Sequence, residues 1–114
     1  MTTYPLSPFK LIDNMLYISG QIGQKNGQLV SDDFRHQMAQ TVENIKSILD
    51  QNGMDLKHVV DVTAFLVDQG DYEIFNEVYA KAFSKPYPTR TTVTVKSLPL
   101  NAKVELKAVA SKNL

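Results

Sequence analysis

Two residues late in the chain, Arg90 and Glu105, have the chemistry to handle a small acid. Arg90 follows Tyr87-Pro88-Thr89 and precedes two threonines, Thr91 and Thr92. A guanidinium is a planar fork of donors that holds both oxygens of a carboxylate. Glu105 stands inside the alternating run Val104 to Ala110, and a carboxylate so placed can orient or activate a water. Together they can bind a small 2-keto or 2-imino acid and hydrolyse it. They can equally be a structural ion pair at a surface or interface, and residue type alone leaves both readings open.

Other candidates carry less chemistry. Ser19-Gly20-Gln21 lacks the strand-elbow-helix setting and the full GxSxG pattern of a hydrolase nucleophile. Gly20 and Gly23 belong to no phosphate-binding loop, and two glycines in four residues imply unusual backbone angles or close approach to a neighbour. His36 and His58 sit in no ligand-spaced motif, and His58 reads as a surface or capping residue before a strand. The chain has no cysteine, which removes disulfides, thiol nucleophiles and thiolate metal sites. Twelve basic residues balance twelve acidic ones, so no charge excess points to nucleic acid or to an anionic membrane. No apolar run approaches the length of a membrane span and no signal-peptide pattern follows Met1, so a cytoplasmic location is expected.

The 114 residues read as one domain, 1–114, of the α+β class. Lys85 to Ala110 reads as a β-hairpin turned at Leu98-Pro99-Leu100-Asn101. In its first strand Thr91, Val93 and Val95 alternate with Arg90, Thr92 and Thr94. In its second, Val104, Leu106, Ala108 and Ala110 alternate with Lys103, Glu105, Lys107 and Val109. Matching the apolar rows of an antiparallel pair puts Arg90 and Glu105 on one face.

Upstream, Phe9 to Ile12 and Met15 to Ser19 read as strands around the turn pair Asp13-Asn14, and Asn26-Gly27 marks a second turn. Ser31 or Asp32 caps a helix to about Gln51, with an apolar stripe of Phe34, Met38, Val42, Ile45 and Leu49 that is core packing. Asn52-Gly53 stops it. Val59 to Val67 is a central strand. Asp71 caps a second helix carrying Tyr72, Phe75, Val78, Tyr79, Ala82 and Phe83, and Pro86 and Pro88 end it. Right-handed crossovers put both helices on one sheet face. The other face, with Val59, Phe65, Val67 and Val109 among polar residues, then lacks cover from its own chain, which points to a homo-oligomer.

These pieces resemble the RidA/YjgF family of enamine/imine deaminases in order over almost the whole chain. The resemblance is carried by Asn14-Met15 with Ser19-Gly20-Gln21-Ile22; by Gln37 with Val42-Glu43-Asn44-Ile45; by Val59 to Thr63 with Phe65-Leu66; and by Phe75-Asn76-Glu77-Val78-Tyr79. It continues through Tyr87-Pro88-Thr89-Arg90-Thr91-Thr92-Val93, Leu98-Pro99 and Val104 to Ala110. The spacing from Pro-x-Arg through Leu-Pro to Val-Glu is the most specific part. The resemblance implies a chorismate-mutase-like mixed sheet with two helices on one face, and a homotrimer with clefts between subunits. It implies hydrolysis of 2-aminoacrylate-type and 2-iminobutyrate-type imines to 2-keto acids and ammonia, with no metal or organic cofactor. Arg90 falls on the family's carboxylate-binding arginine and Glu105 on the glutamate associated with the attacking water. Phe9, Ser19, Gly20, Tyr87 and Thr92 are the further substrate-binding candidates, and Asn76 falls on an asparagine taken as mainly structural.

There are departures. Ser7-Pro8-Phe9 stands for Gly-Pro-Tyr, Thr92 for a frequent cysteine, Lys107 for a second acid and Gly23 for a frequent proline. They bear on substrate range and rate. Two other readings remain: a non-catalytic trimeric module binding small carboxylates, and a ribonuclease or translation inhibitor.

Overall fold

The computed structural model describes residues 4–114. Strands β1 (Phe9–Ile12) and β2 (Met15–Ile22) form a hairpin, and β3 (Gln24–Lys25) and β4 (Gln28–Leu29) form a small separate ribbon. Then come helix α1 (Phe34–Gln51), strand β5 (Val59–Leu66), helix α2 (Tyr72–Ala82), strand β6 (Thr89–Thr94) and strand β7 (Val104–Ser111). The main sheet has the order β1-β2-β7-β5-β6 and is mixed: β5 and β6 are parallel and its other pairs antiparallel.

Local chemistry accounts for most boundaries. Asp13 turns the first hairpin at φ 53°, and Asn26-Gly27 turns the ribbon at φ 55° and 81°. The α1 cap is Asp33, one or two residues later than the expected Ser31 or Asp32; its side chain accepts from the backbone N–H of His36. Asn52 ends the helix and Gly53 follows at φ 70°. Asp71 precedes α2 but makes no side-chain cap; a short 3₁₀ turn over Gln69–Asp71 leads in instead.

The core lies between the helices and one sheet face. Leu16, Ile18, Val62, Ala64, Leu66, Val104, Leu106 and Ala108 of the sheet meet Met38, Ile45 and Leu49 of α1 and Phe75 of α2, all buried. Each large side chain so buried stabilises the fold by roughly 1.5–3 kcal/mol. The opposite face is open, with Ile12, Tyr17 and Val93 exposed to 52, 42 and 41%.

The expected C-terminal hairpin is not there. β6 and β7 flank β5 on opposite sides and never pair. The segment between them bends through a 3₁₀ turn at Pro99–Asn101, where Leu100 and Asn101 have φ 58° and 59°. β5, α2 and β6 form a βαβ unit, whose crossover lays the next strand parallel beside β5. β7, apolar along one side, takes the central place. Period-two alternation reads the same in either arrangement, so it cannot name a strand's partner.

Candidate active site

Arg90 is held by an aromatic platform. It pairs with Val62 across the parallel ladder, and Val62 faces the core, so Arg90 lies on the helix-covered side. There α2 carries an aromatic row at helical spacing. The guanidinium carbon lies 4.8 Å from the ring centre of Tyr79, 5.0 Å from Phe75 and 6.0 Å from Tyr72. The Nη2 donates to the Tyr72 hydroxyl at 3.4 Å. Stacking of this kind is worth roughly 0.5–2 kcal/mol and fixes the plane of the fork. Among the described residues no carboxylate pairs with Arg90.

Asn76, Tyr79, Ala80, Tyr87, Pro88 and Arg90 line a depression of about 350 Å³. The Asn76 side chain makes no hydrogen bond to a described residue and lines this depression. Thr92 follows Arg90 by two residues on the same face, and its hydroxyl is buried without a partner among the described residues, as is that of Tyr79. Burial pushes the Tyr79 phenol up to about 12 against the opposing pull of Arg90, with Asp61 adding to the rise.

Glu105 belongs to a different surface. It pairs with Phe65 on the face away from the helices, opposite to Arg90's side. Two strand spacings and three residues separate the pair, roughly 14 Å between Cα atoms by ordinary strand geometry. The shared face expected from a hairpin is thus corrected: with β5 between them, Arg90 takes the side of Val62 and Glu105 the side of Phe65.

A β-bulge between Ile18 and Gln21 shapes the surroundings of Glu105. Ser19 and Gly20 both sit opposite one residue of β7, which aims this backbone at the neighbouring strand. A Cβ on Gly20 would overlap Glu105 Oε2 and lie 2.9 Å from its Cδ. Only glycine therefore admits the carboxyl where it stands. Half-buried there, Glu105 is held above the usual carboxylate range by loss of water, and no neighbouring cation offsets the rise. Gly23 has the same need for closeness, but against α1: its Cβ would lie 2.5 Å from the Gln37 carbonyl oxygen. Neither glycine has a left-handed backbone, so close approach is the operative explanation.

Ser19 anchors the N-terminal lead-in. Its hydroxyl donates to the Ser7 carbonyl at 2.5 Å and its N–H to Pro8 at 2.9 Å. Ser7, Phe9, Lys10, Ile12, Tyr17, Ile18, Ser19 and Lys107 line a second depression of about 400 Å³. Phe9 packs partly against the core from its edge. One chain thus gathers Arg90, Tyr87 and Thr92 at β6, and Phe9, Ser19, Gly20 and Glu105 around β2 and β7. It does not bring the two groups together. Neither histidine joins them: His36 lies beside Ser31 on α1, and His58 accepts from the Asp55 N–H as a capping residue.

This is a mixed sheet with two helices on one face and two separated candidate groups, one around Arg90 and one around Glu105. Residues 2–112 match the model of the family described as Endoribonuclease L-PSP. The chain belongs to that family, the RidA/YjgF family whose motifs it carries. It is 39% identical to the RutC family protein PH0854 of Pyrococcus horikoshii, over 95% of this chain and 90% of that protein. It is 38% identical to the human protein named 2-iminobutanoate/2-iminopropanoate deaminase, over 93% of this chain and 79% of the human one. Among solved structures, Escherichia coli TdcF with bound serine superposes with a TM-score of 0.89 at 28% identity, covering 98% of this chain and 91% of that one.

Proposed function

We propose that the protein hydrolyses 2-imino acids and their enamine tautomers to 2-keto acids and ammonia. The observation that carries this reading is the Arg90 guanidinium, fixed on three aromatic rings, opening on a depression and lacking a carboxylate partner among the described residues. A fork so held takes both oxygens of a substrate carboxylate and leaves the imine carbon in a set place. Water adds to the carbon of the protonated imine while Glu105 accepts one of the water's protons, which leaves a neutral carbinolamine. Glu105 returns that proton to the nitrogen, the C–N bond breaks, and the hydroxyl's proton passes to the departing ammonia, giving keto acid and ammonium. Loss of water around Glu105 raises its proton affinity, which suits both transfers. The imine carbon is already electrophilic, so no electron transfer is required. The human relative named as a deaminase of such imines, and a solved relative with bound serine, itself a small amino acid, support the substrate class.

The site in this reading is shared between copies. Arg90 and Glu105 of one chain lie on opposite sheet faces, so a substrate touching both meets Arg90 of one copy and Glu105 of the next. A homotrimer packing its open faces inward would supply such clefts and cover Ile12, Tyr17 and Val93. The assay is 2-iminobutyrate made in situ by a threonine dehydratase, followed as 2-ketobutyrate. Wild-type protein accelerates its formation and Arg90→Ala loses at least about a hundredfold in kcat/KM, the scale of a charge-assisted bidentate contact. Equal rates for both proteins would refute the role of Arg90. The family's description as an endoribonuclease gives a second reading. It is favoured only if purified protein cleaves RNA and Arg90→Ala protein does not.

A further inference from the structure

Resting on that deaminase reading, the second depression carries information about the substrate. We infer that Lys10 and Lys107 form an anion subsite selecting imino acids whose side chain bears a second carboxylate. The register sets Lys10 opposite Tyr17, with Val109 beyond, and Lys107 lies two residues from Val109 on the same open face. Both stems therefore rise around Tyr17 and Ser19, and both residues line the 400 Å³ depression. Among the described residues neither pairs with an acid or donates a side-chain hydrogen bond. Lys46 pairs with Glu43, Lys81 with Glu77, and Lys103 donates to the Asp32 carbonyl, whereas Lys25, Lys57, Lys85, Lys96 and Lys112 are likewise without a side-chain partner among the described residues but line no depression together with a second lysine on the open face.

Ile12 and Tyr17, on the same open face as the two lysines, supply apolar lining to that depression. Apolar lining beside two cations matches a short methylene chain ending in a carboxylate. Lys107 is two residues from Glu105 along β7, about 7 Å by strand geometry, so a flexible ammonium there reaches the far end of a four- or five-carbon dicarboxylate. A second copy packed on the open face would take both ammonium groups out of water, and buried cations need an anion.

The test compares imines generated by an amino-acid oxidase from glutamate and from alanine, followed as keto acid formed above the uncatalysed rate. Wild-type protein is expected to favour the glutamate-derived imine by about tenfold or more in kcat/KM, the size of one charge-assisted contact. The Lys10→Gln/Lys107→Gln double variant is expected to lose that preference, and Lys107→Arg, which retains the charge, to keep it. Equal or reversed preference in wild type, or a preference unchanged in the double variant, overturns the subsite. Turnover of neither imine refutes the deaminase reading instead. The subsite is then decided by calorimetry with 2-oxoglutarate and 2-oxobutyrate. Tighter binding of the dicarboxylate that depends on the two lysines sustains it, and equal affinities overturn it.

Discussion

Gly20→Ala separates catalysis from folding. The added methyl occupies the space of the Glu105 carboxyl: it would overlap Oε2 and sit 2.9 Å from Cδ and 3.3 Å from Cγ. These atoms end a flexible side chain, so the carboxyl swings aside and the backbone stays. The strand also gains slightly, since alanine loses less chain entropy than glycine, by roughly 0.5–1 kcal/mol. Net stability should therefore move by no more than about 1 kcal/mol, a shift in Tm of only a few degrees. The carboxyl, however, must move by an ångström or more from where the proposed mechanism uses it, and a misplacement of about 1 Å can cost on the order of a hundredfold in rate. Gly23→Ala is the matched control. Its methyl would meet the Gln37 backbone, with the carbonyl oxygen at 2.5 Å and Cα at 2.6 Å, and helix backbone does not swing aside. That variant should lose roughly 1–3 kcal/mol. Thermal denaturation beside the dehydratase-coupled assay reads both quantities. Full activity in folded Gly20→Ala, or unfolding of Gly20→Ala as severe as that of Gly23→Ala, would refute the reasoning.

Two further outcomes follow from the burial of polar groups. Glu105 is held above its ordinary value, so the folded state keeps a proton that the unfolded state releases. Its stabilising share is full below the unfolded value and lost as pH rises through the folded one. Glu105→Gln should therefore raise Tm relative to wild type more at pH 7 than at pH 4, while the wild-type kcat/KM should rise with pH on an acid limb lying above the usual carboxylate range. A Tm difference independent of pH, with an acid limb at the ordinary glutamate value, would contradict this. The Tyr79 hydroxyl is buried without a partner among the described residues, so Tyr79→Phe should raise stability by about 1 kcal/mol in denaturant titration; a marked loss would show that the hydroxyl has a partner.

Local features were legible in the sequence and long-range pairing was not. Asp13, Asn26-Gly27 and Gly53 turn or stop the chain where their types demand it. The α1 stripe of Phe34, Met38, Val42, Ile45 and Leu49 is the buried stripe. Gly20 and Gly23 left unusual backbone angles and close approach both open in the sequence, and the structure shows close approach with no left-handed backbone. The pairing of β6 with β5 was missed because alternation fixes a strand's faces and says nothing of its neighbour. That error moved Arg90 to the wrong side of the sheet. Tyr72, Phe75 and Tyr79 were visible as a helical stripe. Their use as a platform for Arg90 depends on where β6 lies, which only the tertiary arrangement reveals. Lys10 drew no attention because a lone lysine on an edge strand has an ordinary solubility role, and its meaning comes from Lys107 beside the same depression.

The central claim is that one substrate meets Arg90 and Glu105 from different copies. Mixing Arg90→Ala and Glu105→Gln proteins, unfolding them together and refolding them as mixed assemblies tests it directly. Each variant alone should be inactive. In a randomly mixed closed ring, about one site in four joins an intact Arg90 to an intact Glu105, whatever the number of subunits. The account predicts recovery of about a quarter of the wild-type activity. Mixed assemblies as inactive as either parent would place both residues in a single chain's site and contradict it.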